Sequence, residues 1–297
     1  MKCFIKRVVL FALMALLALA ISFTPEAGRA AQRTVKDTSP VIVGVPLPLS
    51  GNLKEFGTMM RNSFEMARDS INKLGGINGR PLELVYVDTQ GKEALGEDVV
   101  KKLVIDSKAI MLVGGYSSSP TYVMAKTAQR LDVPFLISTA SADKITQKGW
   151  KNIFRLNPPI SEYTKGLEDF WIKNFKPKSM AILYENSMFG TNGAMRMMSF
   201  CEDNAIEVRP LIGYDREMAS NTYFRPVLAP LTEETPDVIY MLSHLEDAVA
   251  LVKTIRGLKI GSLLCGGAAG FALEEFVKRA GDSASYLLTA TLWSEHL

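Results

Sequence analysis

Apolar positions along this chain switch repeatedly between two periods. Val41 to Val45 is a β-branched run. After a turn at Pro48-Leu49-Ser50-Gly51, the apolar residues Met60, Phe64, Ala67 and Ile71 recur at helical spacing between Gly57 and Lys73. Gly75-Gly76 ends that helix, Asn78-Gly79 makes a tight turn, and Leu82, Leu84 and Tyr86 open a second strand. A strand, a helix and a strand in this order favour a parallel pair with a right-handed crossover.

The alternation continues. It predicts a helix over 92–106, a strand over 109–113, a helix over 120–131, a strand over 134–137 and a short element over 152–156. Asn157-Pro158-Pro159 bars both helix and central strand, and is a natural crossing point. Beyond it the pattern restarts. Residues 162–174 read as a helix with Leu167, Phe170 and Trp171 on one face, and 180–184 as a strand. A helix (192–203) and a strand (207–212) follow, then alternating elements at 237–242, 247–257, 262–264, 272–280 and 286–289. The expected fold class is therefore α/β, with two doubly wound parallel-sheet lobes at 41–158 and 159–289. The halves are alike in element order and show no repeat in sequence. In such sheets ligands bind outside the carboxyl ends of the strands, which here puts them in the cleft between lobes.

The wording inside the first unit is specific. GVPLPLSG, then Phe56-Gly57, then GGINGRPLELVYVD over 75–88, resembles the opening of the type I periplasmic binding proteins of the leucine/isoleucine/valine-binding family. Those proteins are receptors that feed ABC transporters of the branched-chain amino-acid type. The resemblance implies the two-lobed type I fold, a small-molecule ligand, a permease partner in the inner membrane and a monomer when complete. It implies no cofactor and no metal. Members of this family cross back to the first lobe after the strand at Thr289–Trp293, whereas this chain stops at Leu297. Residues 290–297 thus read as the start of a crossing whose return is missing, from a truncated reading frame or a fragment.

The beginning of the chain changes the charge argument. Lys2, Lys6 and Arg7 precede an apolar stretch from Val8 to Phe23, and Pro25 with Gly28-Arg29-Ala30 supplies a break and small residues. That is the layout of a secretory signal peptide over residues 1–30, so the mature chain is expected near Ala31, in the periplasm and without a lipid anchor. The apolar stretch falls short of the roughly 20 residues needed to span a bilayer. Residues 1–30 carry a net charge of +3, as does the whole chain, so the remainder is near neutral and the electrostatic footprint of nucleic-acid binding is gone. Cys201 and Cys265 survive processing. An oxidising compartment permits a bridge, but two buried thiols on different elements are the preferred reading.

Candidate site residues cluster after the predicted strands. Gly114-Gly115-Tyr116-Ser117-Ser118-Ser119 precedes a helix opening at Pro120, and hydroxyls beside free N–H groups at a helix N-terminus cradle a carboxylate. Plain N-capping by Ser118 or Ser119 is the competing reading. The family resemblance assigns the ligand carboxylate to this serine loop and to the following turn, Ser138-Thr139-Ala140-Ser141-Ala142. Ala142 replaces the family's usual threonine there, so Ser141 would supply the hydroxyl beside backbone N–H groups such as that of Ala140. Phe56 matches an aromatic that lines the pocket in relatives, and Tyr116 can stack beside it; Phe56 as a lid over the first lobe's core stays open.

In the second lobe the positions matching the family's two tyrosines and its glutamate for the ligand ammonium are Phe189, His244 and Gly267. Leaving an ammonium unpaired costs several kcal/mol, and these residues offer it no carboxylate. Glu246 and Asp247 are expected to be solvated charges at a helix start. A carboxylate without an amine, an aromatic acid or an amide suits the site better than a zwitterion. His244 would donate or accept, or lie idle at a strand end.

An enzyme is not expected. The G-x-S-x-G elbow, HExxH, the P-loop pattern and GxGxxG are absent, and His244 and His296 are the only histidines. Asp88 caps the Thr89–Gly91 turn in this reading. The remaining alternative to transport is a ligand-binding sensor subunit signalling to a membrane receptor, since one fold hosts both.

Overall fold

The computed structural model describes residues 38–267 and 270–291, so the expected leader and the last six residues lie outside it. Residues 39 onward form one compact unit. Its first lobe begins with β1 (Val41–Leu47), whose side chains are nearly all buried, followed by α1 (Lys54–Lys73), β2 (Leu82–Asp88), α2 (Gly96–Lys101) with a π-helical turn over 102–106, and β3 (Met111–Gly114). Then come α3 (Ser118–Arg130), β4 (Phe135–Ile137) and β5 (Ile153–Arg155). The five strands are parallel in the order β2-β1-β3-β4-β5.

The second lobe follows Pro158-Pro159. It consists of α4 (Ile160–Tyr163), α5 (Lys165–Phe170) continued as a π-helical turn, β6 (Ser179–Glu185), α6 (Met188–Asp203) and β7 (Glu207–Tyr214). The chain continues through α7 (Asn221–Leu228), β8 (Val238–Leu242), α8 (Leu245–Gly257), β9 (Leu263–Gly266), α9 (Glu274–Ala280) and β10 (Leu288–Thr289). Its parallel sheet runs β10-β9-β8-β6-β7. Counted from either lobe's own first strand, both sheets have the order 2-1-3-4-5. The strand order therefore reverses between β1 and β3 in one lobe and between β6 and β8 in the other, and ligand-binding loops belong at those two reversals.

Apolar burial explains the layers. Val99, Leu103, Leu112, Met124 and Phe135 close one face of the first sheet against α2 and α3. In the second lobe Trp171, Met197, Phe200 and Tyr240 fill one face, and Leu183, Phe224, Met241 and Leu251 the other. Leu53, Phe56 and Tyr116 of the first lobe join that last cluster, so apolar contact continues across the cleft.

Several details depart from the sequence reading. The stripe on α1 is half covered at Met60 and Phe64 and exposed at Ala67 and Ile71, because the helix packs into the cleft through Phe56 and Met60 and leaves its C-terminal half outside. Phe170 lies outside, 40% exposed against Phe175, while Leu167 and Trp171 point inward. Helix α7 had no assignment; Pro226 inside it, with Pro230 and Pro236 beyond, hides the period, although Ser220 caps it by accepting from the Tyr223 N–H. Asp88 does cap its turn, accepting from the Gln90 N–H, and also accepts from Leu49 N–H and from the Ser50 hydroxyl, tying β1's exit loop down. Cys201 and Cys265 are free and buried, and burial pushes both thiols up to about 12.

Candidate functional site

Two loops from each lobe meet at the strand-order reversals. After β3 the chain turns through Gly115, whose φ of +78° suits glycine and where a Cβ would lie 2.8 Å from Thr121 Cγ2. That turn delivers Tyr116 and Ser117 to the N-terminus of α3. Ser117 is the N-cap, yet its hydroxyl makes no capping bond. The first amides of α3 have no acceptor within the helix, and Ser117 at their head lines the cleft.

Its neighbours are used differently. Ser118 Oγ accepts from the Ala142 N–H at 3.2 Å and so ties the serine loop to the turn after β4. Ser119 Oγ accepts from the Met188 N–H at 3.1 Å, reaching across to the first turn of α6. The capping alternative for Ser118 and Ser119 is therefore not what these hydroxyls do.

The cavity between the lobes is lined by Tyr116, Ser117, Ser118, Thr139, Ser141, Tyr163, Phe189 and His244, and its volume is about 30 Å³. Sites for small molecules are roughly 300–1,000 Å³, so a ligand enters only if the lobes part or lining side chains move. Phe56 lies behind this wall, stacked on Tyr116 at 4.6 Å between centroids. Three further sequence candidates also lie outside the lining. Ser119 spans the lobes as above, and the Ala140 N–H is spent on Gly115 O. Gly267 donates to Met241 O, and a Cβ there would be 2.2 Å from Tyr240 Oη, so it faces the sheet.

The second lobe brings together groups that sequence reasoning missed. Glu185, at the end of β6 and 1% exposed, accepts from Ser187 Oγ at 2.6 Å and Arg216 Nη1 at 3.3 Å, and its Oε2 lies 2.9 Å from His244 Nδ1. Burial alone would push this carboxyl up; His244, Arg216 and Ser187 outweigh it and hold it down at about 2. Gly190 permits this close packing, since a Cβ there would be 2.1 Å from Glu185 O.

Asp247 corrects an expectation. It is completely buried, accepting from Tyr214 Oη at 2.5 Å, and burial raises it to about 6; only Glu246 is a surface charge, paired with Arg279. Tyr116 Oη is buried without a hydrogen-bond partner, and burial beside the charge of Glu185 raises that phenol.

His244 lines the cavity inside an aromatic frame, with Phe189 at 5.4 Å, Tyr116 at 5.7 Å and Phe56 at 6.2 Å between centroids. Tyr163, whose hydroxyl meets the Asn157 side-chain amide, and Thr139 add two more hydroxyls. Both lie in or beside segments the sequence had marked: Thr139 sits within the turn already singled out, and Tyr163 four residues beyond the Pro-Pro crossing. Among the described residues no group of acidic, histidine or cysteine side chains is arranged to hold a metal ion.

The chain as a whole resembles known proteins. A 27% identical relative over 245 residues is the Leu/Ile/Val-binding protein homolog 8 of Brucella abortus, matching 79% of this chain and 59% of its own length. The chain spans about three fifths of the length of the curated relatives it matches. Among solved structures, the branched-chain amino acid transporter substrate-binding protein LivJ from Streptococcus pneumoniae, in complex with isoleucine, superposes with a TM-score of 0.75 at 25% identity. That match covers 84% of this chain and 70% of LivJ. An ABC-transporter solute-binding protein from R. palustris in complex with benzoate has the same fold, with a TM-score of 0.73 at 23% identity over 82% of this chain and 66% of that one. The model of a periplasmic binding protein family matches residues 40–297, and with that match over the two-lobed fold the chain belongs to the periplasmic binding protein family.

Proposed function

We propose that this protein is an extracytoplasmic solute-binding receptor that captures a small carboxylate-bearing ligand and delivers it to the permease of an ABC-type importer. Export to the periplasm by the leader at residues 1–30 belongs to the same reading. The observation that carries the ligand class is the composition of the cavity wall. It presents hydroxyls from Ser117, Ser118, Thr139, Ser141, Tyr116 and Tyr163, one imidazole and the ring of Phe189, and no carboxylate. Hydroxyls and helix-terminal amides donate well to an anion. An ammonium on the same ligand would meet aromatic rings and a carboxylate, Glu185, whose oxygens are already taken by Ser187, Arg216 and His244.

The reading therefore favours a carboxylate attached to an uncharged, flat body, an aromatic acid or amide, over a zwitterionic amino acid. A benzoate-bound protein and an isoleucine-bound protein both have this fold, so the fold leaves the choice between the two classes to the lining. Isothermal titration of the purified protein with benzoate and with leucine tests the choice. Benzoate is expected to bind at least tenfold more tightly; tighter binding of leucine overturns the ligand class while leaving the receptor reading intact.

A further inference from the structure

We propose that Ser119 and Met188 form a latch that holds the two lobes closed, so that Ser119 is a positioning residue that sets the balance of closed and open forms instead of touching the ligand. The latch rests on the receptor reading of the two-lobed fold and is independent of the ligand class.

Hydrogen bonds join the lobes in two kinds of place. Beside the crossing at Pro158-Pro159, the Ile160 N–H donates to Ser141 O at 2.8 Å, Ser161 Oγ donates to Asp143 Oδ1 at 2.5 Å, and the Asn157 amide donates to the Tyr163 hydroxyl. Groups next to a hinge stay close when the bodies on either side rotate. The bond from the Met188 N–H to Ser119 Oγ, at 3.1 Å, lies away from the crossing and joins α6 to α3. Parting of the lobes therefore separates these two groups first among the bonds named.

Both partners are suited to meeting and separating. Met188 is the first residue of α6, and the first amides of a helix find no acceptor inside it. The N-cap Ser187 cannot serve it, since its hydroxyl accepts from the Gly190 N–H and donates to Glu185. Ser119 supplies the acceptor from the opposite lobe. The Met188 side chain crosses as well, packing against the first lobe's core cluster, and a flexible thioether tolerates loose packing. Leu53, Phe56 and Tyr116 make the reciprocal insertion into the second lobe's cluster. Ser119 and Met188 are each half-buried, so in an open form water replaces what each loses. The latch is then worth one neutral hydrogen bond net of hydration, a factor of a few in the closed-to-open ratio. Ser119 is absent from the cavity wall, so its loss would weaken every ligand by the same factor, through the fraction of closed form.

The test is a distance across the cleft. Helices α1 and α9 line opposite sides of a recess at its mouth, through Glu55 and Met59 on one and Glu274, Glu275 and Lys278 on the other. Met66 and Val277 are exposed on these helices. Spin labels carried on keto side chains in their place report the separation by pulsed EPR, without and with benzoate. The parent is expected to show a short and a long distance. Their ratio should fall about fivefold in Ser119→Ala and be regained within about twofold in Ser119→Thr, which keeps the hydroxyl. Adding Met188→Ala to Ser119→Ala should lower it further. A ratio that Ser119→Ala leaves unchanged, or a loss that Ser119→Thr does not restore, overturns the latch. So does a parent with no short distance in either condition. If the parent shows the short distance alone, the double variant must bring out the long one, and its failure to do so overturns the latch as well. A parent whose ratio obeys Ser119 but ignores benzoate supports the latch and counts against the ligand class alone.

Discussion

The two faces of the cleft are built on the same strand order and carry opposite chemistry. On the first lobe the loops after β3 and β4 present hydroxyls, and none of the side chains lining the cavity there is charged. On the second lobe the loops after β6, β7 and β8 gather Glu185, Arg216, His244 and Asp247, with Glu185 and Asp247 fully buried. A sheet topology thus fixes where a site lies and leaves its polarity to a few loop residues.

The largest test of this contrast is to remove the counter-charge. Glu185→Ala strands Arg216 and His244 over a buried gap. Deleting one partner of a buried ion pair costs about 3–5 kcal/mol, so a fall in thermal midpoint of many degrees is expected, whereas Glu185→Gln should lose less. A Glu185→Ala protein as stable as its parent would show that the charged face is not held together in this way.

Asp247 gives the next effect and the opposite sign. Its carboxyl is raised from the usual 3.8 to about 6, mainly by burial, so the folded state favours the protonated form. The ionised group therefore costs stability fully above about pH 6, and the cost fades as pH falls towards 4. Asp247→Asn keeps an acceptor for Tyr214 and should stabilise the protein above pH 6 by at most about 3 kcal/mol, with the gain vanishing near pH 4. Glu185 behaves inversely. Its carboxyl is held down at about 2, so its contribution is present above its ordinary range near 4.5 and is lost as pH falls from there towards 2. Unfolding midpoints of the parent and both variants across pH 3–8 separate the two; parallel profiles would contradict the assignment.

Much of this was legible beforehand. Strands declare themselves by β-branched runs and Ser117 by its place between a strand end and a helix start, which local patterning reaches; Phe189 and His244 came from the family resemblance. Glu185 and Asp247 were not legible because burial of a charge depends on partners 31 to 59 residues away: Arg216 and His244 for Glu185, and Tyr214 for Asp247. Reading Asp247 as a solvated helix-start charge applied a local rule where the fold had covered the helix's first turn. Gly267 failed differently. It matched a binding position in sequence order, but the space above it belongs to Tyr240.

The smallest effect on stability separates two adjacent serines. Read as sequence, Ser117 and Ser118 are equivalent hydroxyls, both expected to matter for binding and little for folding. In the structure Ser118 Oγ is the acceptor for the buried Ala142 N–H, so Ser118→Ala leaves that amide unpaired and should cost about 1–3 kcal/mol of stability. Ser117 Oγ makes no capping bond and lines the cavity, so Ser117→Ala should leave the unfolding midpoint of the ligand-free protein within about a degree. Its effect belongs in binding. A lost hydrogen bond to a carboxylate is worth about 1.5–3 kcal/mol, which is at least a tenfold weaker affinity for benzoate. If Ser117→Ala lowers stability and spares affinity, the neutral face of the cleft is structural, and the carboxylate must be held elsewhere. If both serines weaken binding and neither changes stability, the tie between the serine loop and the turn after β4 contributes nothing, and the division of labour between them fails.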